Sequence, residues 1–374
     1  MINNKDFYDA LNSQGISFFT GVPDSLLKDM CAYVMDNTSR NNHVIAANEG
    51  GAVALAAGHY LASGKPALVY MQNSGQGNAV NPLVSLADKE VYGIPMILLV
   101  GLRGEPGKED EPQHKKQGRI TQTLFDTLEI PHKILPSEIN EARNVIDLAI
   151  KYTKSASEPF ALIVKKGTFE PYSLKNIPRT EYDIGREEAI KLIVSQLGSR
   201  DIVVSTTGMA SRELYEHRLN QKQSHDGDFL TVGSMGHSSS IALGIAMQKP
   251  DRNVYCLDGD GAVIMHMGSL AIIGSQKPRN LRHIIINNEC HDSVGGQPTA
   301  GSLIDIPKIA KACGYERVFS ANKKGEIERK MTELMSVGGP SLLEVKVNKG
   351  HRSDLGRPKT SPSENKDEFM KFLR

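Results

Sequence analysis

The sequence predicts an α/β fold of two similar domains, each a parallel sheet flanked by helices. Three observations carry this. Short apolar runs rich in Val, Ile and Leu recur along the whole chain. Runs without polar alternation suit strands covered on both faces of a parallel sheet. Helix-like stretches separate them, the alternation expected of α/β architecture. The same succession of strands, turns and Gly-rich segments then occurs twice.

Taken in order, Ile16–Phe19, His43–Ala46, Ala67–Met71, Met96–Val100 and Phe160–Val164 are the predicted strands of the first half. Ile202–Ser205, Phe229–Thr231, Val254–Leu257, His283–Ile286 and Ser341–Val345 are those of the second. Gly51–Ser63, Glu138–Tyr152, Glu187–Leu197 and Ser238–Met247 read as helices between them. The polar, Pro-containing stretch 170–184 breaks the pattern and is the expected linker, which places domains at 1–169 and 185–374. Each half carries an early Gly turn, at Gly21 and Gly208. From Gly21 to Glu49 is 28 residues, and from Gly208 to Met235 is 27.

Composition narrows the function. Lys and Arg number 44 against 43 Asp and Glu, so the formal net charge is +1. A near-neutral chain gives no electrostatic reason to bind nucleic acid or a membrane surface. With 39% hydrophobic and 23% charged residues, it has the make-up of a globular protein with a sizeable core. The longest apolar runs, such as Ile94–Gly101, are too short to span a bilayer. The four cysteines form no CxxC pair, and the first residues show no basic region followed by an apolar run. A cytoplasmic location with reduced thiols is the expectation.

The strongest chemical signal is GDGAV at Gly259–Val263, followed by IIINNEC at Ile284–Cys290. Asp260 closes one predicted strand and Asn287-Asn288 the next, 28 residues after Asp260, the span of one strand–helix–strand crossover. Adjacent strand ends of an open α/β sheet meet at one rim, where ligands bind. A carboxylate, a carboxamide and a backbone carbonyl there form a hard oxygen set suited to Mg²⁺, and the glycines admit a diphosphate to the backbone. A lone Asp-Gly is an ordinary turn; the spacing to the Asn pair is what points to a ligand site. In the first half, Glu49 follows the run HVIAA and precedes the Gly-rich helix GGAVALAAG. Taken alone it is a helix-start carboxylate favoured by the dipole. Beside the motif of the other half it becomes a candidate acid whose apolar neighbours help it hold a proton.

With these residues in place, the chain resembles the thiamine diphosphate-dependent 2-oxo acid decarboxylases over nearly its whole length. Larger members carry a central third domain, for which the linker leaves no room. The compact layout is similar to the phosphonopyruvate and sulfopyruvate decarboxylase subfamily. GVPDSLL at Gly21–Leu27, NEGGAVALAAGHYLA at Asn48–Ala62, MQNSGQGN at Met71–Asn78, SMGHSSSIALGIA at Ser234–Ala246, NNECHDSVGGQPT at Asn287–Thr299 and RPKTSP at Arg357–Pro362 carry it.

The resemblance implies thiamine diphosphate and Mg²⁺ as cofactors, with the metal held by Asp260, Asn288 and the backbone carbonyl of Cys290. It implies that Glu49 meets the aminopyrimidine, that the Gly233 carbonyl accepts from it, and that Met235 supports the bent cofactor. Gly208, Ser234, Gly236, His237, Gly259, Gly261 and Ala262 are the expected diphosphate contacts, and Asn73 a further cofactor contact. Asp24, His114 and His291 are candidate acid–base groups. Gln113 and His114 fall where larger decarboxylases carry active-site histidines, and Lys115 takes the place of the second. Asp24, Ser25, Gln76, His291, Arg352 and Arg357 are candidate substrate contacts, with Asp292 and Ser293 also expected to face the substrate. The segment 103–119, with nine charges and two prolines, is expected to be a long surface loop or a lid. The implied substrate is a small anionic 2-oxo acid. The implied reaction is non-oxidative decarboxylation, of phosphonopyruvate to phosphonoacetaldehyde in phosphonate biosynthesis, with sulfopyruvate or carboligation as alternatives. Self-association with active sites between subunits is implied, and no nucleic-acid or membrane partner.

Overall fold

A computed structural model describes residues 1–176 and 180–374. The chain divides into two compact units, Met1–Ile177 and Pro178–Arg374. Unit 1 contains β1 (Phe19–Gly21), β2 (His43–Ile45), β3 (Ala67–Gln72), β4 (Met96–Gly101), β5 (His132–Ile134) and β6 (Phe160–Val164). They form one sheet in the order β2-β1-β3-β4-β6-β5, with every pairing parallel. Alternate side chains of β3 and β4 leave on opposite faces, as pleating requires. Leu68, Tyr70, Ile97 and Leu99 pack on one side with helices Asn4–Ser13, Lys28–Asn37 and Ile139–Ala156. Ala67, Val69, Met71, Met96, Leu98 and Val100 pack on the other with helix Glu49–Ser63. Both faces are thus buried, which is why these strands read as unbroken apolar runs.

Unit 2 contains β7 (Ile202–Ser205), β8 (Asp228–Leu230), β9 (Val254–Gly259), β10 (Leu281–Asn287), β11 (Cys290–His291), β12 (Gln297–Pro298), β13 (Arg317–Ala321) and β14 (Ser341–Lys346). The main sheet has the order β13-β14-β10-β9-β7-β8, again all parallel, while β11 and β12 form a small antiparallel hairpin. Read from its other edge, this is the strand order of unit 1. The two halves therefore share one topology, as their repeated layout predicts.

Three differences from the sequence reading have physical causes. β5 and β13 go unpredicted because both are edge strands with partly exposed, polar-interrupted residues. The first strand is Phe19–Gly21 rather than Ile16–Phe19, with Ile16 buried ahead of it. The expected linker is shorter than 170–184. The Tyr172 and Lys175 backbone N–H groups donate to Asp29 and Asp36 of unit 1, and Tyr182 exchanges two hydrogen bonds with Asn348 of unit 2. Residues 177-179 of that linker lie outside the described residues. Among the described residues no helix is long and apolar enough to cross a membrane.

The last helix, Pro362–Phe372, begins with a Ser361–Glu364 capping box and docks on edge strand β8. Asn365, 4% exposed, accepts from the Leu230 N–H at 3.1 Å and donates to the Asp228 carbonyl at 2.9 Å. Asn365→Ala strands two buried backbone groups and is expected to remove about 1–3 kcal/mol of stability. Urea unfolding of the two proteins checks this, and an unchanged midpoint would deny the docking role.

Candidate active site

In unit 1 the predicted residues gather where the parallel strands end. Asp24 and Ser25 follow β1, Glu49 follows β2, Asn73 and Gln76 follow β3, and Arg103 follows β4. This is the rim at which open α/β sheets bind ligands. Glu49 is the first residue of its helix. Asn48 caps that helix by accepting from the Gly51 N–H at 2.8 Å. Glu49 is 5% exposed, and its Oε2 accepts from Asn78 Nδ2 at 2.8 Å. The turn Asn73–Gly75 closes over the carboxylate so tightly that a Cβ on Gly75 would stand 2.3 Å from Glu49 Oε1. Glycine is required there by the close approach.

Asp24 is fully buried. Burial raises its carboxyl above the usual range, against the pull of Gln72, which donates at 2.6 Å, and the Leu26 N–H. A buried acid of this kind favours the protonated form more than a surface carboxylate does. Arg103 joins these residues to the following helix. It donates to Ser25 Oγ at 2.7 Å and forks onto Asp110, which also meets His114 Nδ1 at 2.9 Å. Burial would raise the Asp110 carboxyl, but Arg103, His114 and backbone N–H groups hold it well below the carboxylate range.

One expectation for unit 1 changes. Residues 103–119 are not one long loop, because Pro112–Thr127 is a helix that buries His114, Gly118, Thr121 and Phe125 along one face. Pro112 at its first position starts it, and the polar residues that looked loop-like are its outer side. The Asn73 side chain is held within unit 1. Its carboxamide is used in pairing with the Arg103 backbone at 2.8 and 3.2 Å and in donating to Thr121 Oγ1 at 2.9 Å. Gln76 likewise turns inward, donating to the Thr121 carbonyl at 3.3 Å.

In unit 2, β9 and β10 run parallel with Ile286 opposite Gly259, so Asp260 and Asn288 emerge at adjacent strand ends. Asp260 is 2% exposed. Burial pushes its carboxyl up to about 7, and the Thr299 hydroxyl with the backbone N–H groups of Gly261 and Asn288 draw it down only in part. No cation is among the groups acting most strongly on it. Gly301 presses on the same carboxylate, since a Cβ there would stand 2.6 Å from Asp260 Oδ2. A buried carboxylate without a counter-charge, beside a carboxamide and a backbone carbonyl, fits a divalent cation with oxygen ligands.

The turn 233–237 packs on this motif. Gly236 sits against His266 Nδ1 and the Ala262 carbonyl, and the His237 and His266 rings are 4.2 Å apart between centroids. Ser234 is exposed, with φ at +54°, Met235 and Gly233 are half-buried, and Gly208 caps helix Met209–Asn220. His266 is a neighbour that sequence reasoning missed, since nothing in its local sequence links it to the turn 30 residues earlier. His291 lies over Gly261, and burial lowers its imidazole to about 4, so it is neutral at neutral pH. The Cys290 thiol, pushed up by burial, donates to Asp292 Oδ1 at 3.0 Å.

The substrate-side candidates of unit 2 have partners within the unit. Arg352 is surrounded by Glu187 at 3.0 Å and Glu216, both distant in sequence, and by the nearby Asp354 at 3.2 Å. Arg357 is exposed. Asp292 faces inward, bonded to Arg186 Nη1 at 2.7 Å and Asn288 Nδ2 at 2.8 Å. Burial would raise its carboxyl, but Cys290 and Arg186 hold it below the usual range.

The buried Asp260 carboxyl makes a stability prediction for protein free of divalent ions. Its folded value lies above the unfolded 3.8, so its stabilising contribution is full below about pH 4 and is lost as pH rises through about 7. Asp260→Asn, a neutral isostere, should therefore melt higher than the native protein at about pH 8 in a metal chelator. Calorimetry checks this, and a lower melting temperature for the variant would contradict it.

Comparison with known proteins agrees with this geometry. Residues 4–128 match the family described as "Thiamine pyrophosphate enzyme, N-terminal TPP binding domain". Residues 206–345 match "Thiamine pyrophosphate enzyme, C-terminal TPP binding domain". The phosphonopyruvate decarboxylase of Streptomyces viridochromogenes is 32% identical over 388 residues, covering 100% of this chain and 95% of that protein. That of Streptomyces hygroscopicus is 33% identical over 387 residues, covering 100% and 94%. The sulfopyruvate decarboxylase of Methanosarcina acetivorans is 27% identical over 385 residues, covering 98% and 96%. The chain belongs to the thiamine pyrophosphate enzyme family, and both of the family's cofactor-binding domains lie on its one polypeptide.

Proposed function

We propose that this protein decarboxylates 3-phosphonopyruvate, without oxidation, to phosphonoacetaldehyde and CO₂. The observation that carries this reading is identity of 32–33% with two phosphonopyruvate decarboxylases across the entire chain. The buried Asp260 at the ends of β9 and β10 supports the cofactor that such a reaction needs.

In this reading 185–374 holds the diphosphate and Mg²⁺, and 1–169 holds the aminopyrimidine. Asp260, the Asn288 side chain and the Cys290 carbonyl would bind the cation. Gly208, Gly259, Gly261, Ala262, Ser234, Gly236 and His237 would approach the diphosphate, with the Gly233 carbonyl and Met235 next to the rings. Thiamine diphosphate, when bound, supplies the electron sink that accepts the pair left as CO₂ departs. The chain's own residues do the rest. Glu49, buried and oriented by the Asn78 amide that donates to its Oε2, would meet the aminopyrimidine ring nitrogen and exchange a proton with it. Asp24, kept protonated by burial more readily than a surface acid, can return a proton to the product carbon. His114, oriented by Asp110, and His291, kept neutral by burial, are further proton carriers. Ser25 and Arg103 supply hydrogen-bond donors at the same rim of unit 1. Self-association is part of the proposal. It is supported by Leu55 and Leu61, which helix Glu49–Ser63 leaves 39% and 71% exposed.

Rates of CO₂ and aldehyde release from phosphonopyruvate, sulfopyruvate and pyruvate, with and without thiamine diphosphate and Mg²⁺, test the reading. Cofactor-dependent release fastest from phosphonopyruvate is expected. Preference for sulfopyruvate would reassign the substrate, and product formation only with an added aldehyde would make the protein a carboligase. Glu49→Gln should keep the fold and lower turnover by about 10²–10⁴-fold. Unchanged turnover in that variant would remove Glu49 from the mechanism.

A further inference from the structure

The loop after β10 is fastened by a buried charge network that the reaction above does not use. Arg186 opens the first helix of unit 2 and is 7% exposed. Its guanidinium forks onto Glu213 at 2.9 and 3.0 Å and sends Nη1 to Asp292 Oδ2 at 2.7 Å. Asp292 in turn accepts from Asn288 Nδ2 at 2.8 Å, from the Cys290 thiol at 3.0 Å and from the Gly350 N–H at 3.1 Å. The same loop is held a second time where Tyr182 donates its hydroxyl to Glu289 Oε1 at 2.6 Å. Glu289 has φ at +60°, a left-handed conformation that is unusual for this residue type and that its surroundings must hold.

The contact between Asp292 and Asn288 decides which end of a carboxamide is offered to a ligand. A carboxylate only accepts, so it takes the NH₂ end of Asn288, and the carbonyl oxygen on the other side meets only the Cys290 N–H, at a long 3.4 Å. A carboxamide without such a partner can present either end, and an NH₂ end repels a cation. Arg186 matters because its Nη1 donates to the same oxygen, Asp292 Oδ2, and fixes where that acceptor stands. We propose that Asp292, braced by Arg186, is a positioning residue that holds the Asn288 carboxamide with its oxygen turned to the divalent cation. This rests on the thiamine diphosphate and Mg²⁺ reading above. A network that serves only the fold would have no effect on ion affinity beyond its effect on stability.

Mg²⁺ is titrated calorimetrically into the full chain in a fixed excess of free thiamine diphosphate, without substrate, and the thermal melt of each protein is recorded. Asp292→Ala removes the acceptor and leaves Arg186 paired with Glu213, so the remaining buried charges balance and the variant should fold. Its Mg²⁺ dissociation constant is expected to rise about 10–100-fold, the usual effect of removing a group that orients a metal ligand. Adding Asn288→Asp to that variant puts an oxygen at both ends of the side chain and should bring the affinity back to within a few-fold of native. Leu219→Ala, exposed on helix Met209–Asn220, should leave it unchanged. Asp292→Leu gives the same readout should Asp292→Ala disturb the hairpin. Native affinity in the position-292 variants overturns the proposal, as does a loss that Asn288→Asp fails to restore. A native protein that binds no Mg²⁺ overturns both this proposal and the cofactor reading beneath it.

Discussion

A carboxylate taken out of water at the end of a strand, with no cation beside it, is the constraint around which unit 2 is built. Asp260 follows β9 directly, and β10 lies next to β9 in parallel register, so the Asn288 loop emerges beside it. The contacts around Asp260 are close ones: Thr299 donates its hydroxyl, and Gly301 leaves no room for a side chain. Burial of a charge without a partner is unfavourable. In the proposed reading a divalent cation offsets that cost, and stability is exchanged locally for affinity, a common arrangement at functional sites.

Unit 1 shows how one topology serves two purposes. Its sheet has the strand order of unit 2, and its functional side chains also sit where parallel strands end. There the buried acids Glu49 and Asp24 are hydrogen-bonded by neutral amides, Asn78 and Gln72, rather than paired with a cation in direct contact. An amide donor steadies a carboxylate without supplying a full positive charge, which leaves the acid able to exchange a proton.

Much of this was legible in the sequence because the determining residues are neighbours along the chain. The apolar runs that became β3, β4, β6, β9, β10 and β14 are buried on both faces, and GDG and NN mark two consecutive strand ends of unit 2. What was not legible depends on contacts between distant segments. β5 and β13 lie at sheet edges, where partial exposure removes the apolar signature. The partners of Asn73, Arg103 and Thr121, lie 30 and 48 residues away. Two of the carboxylates beside Arg352, Glu187 and Glu216, are likewise distant in sequence. His266 and the Arg186–Asp292 pair have no local pattern at all, since folding alone brings their partners together.

The most direct test of the account is the binding of thiamine diphosphate, measured by equilibrium dialysis, to the native protein and to Asp260→Ala. The account predicts that the native protein retains the cofactor only when Mg²⁺ is present, and that Asp260→Ala, while still folded, retains none at any Mg²⁺ concentration. Equal Mg²⁺-dependent retention by both proteins would contradict it, because the cation would then be held without the carboxylate on which this reading of unit 2 depends.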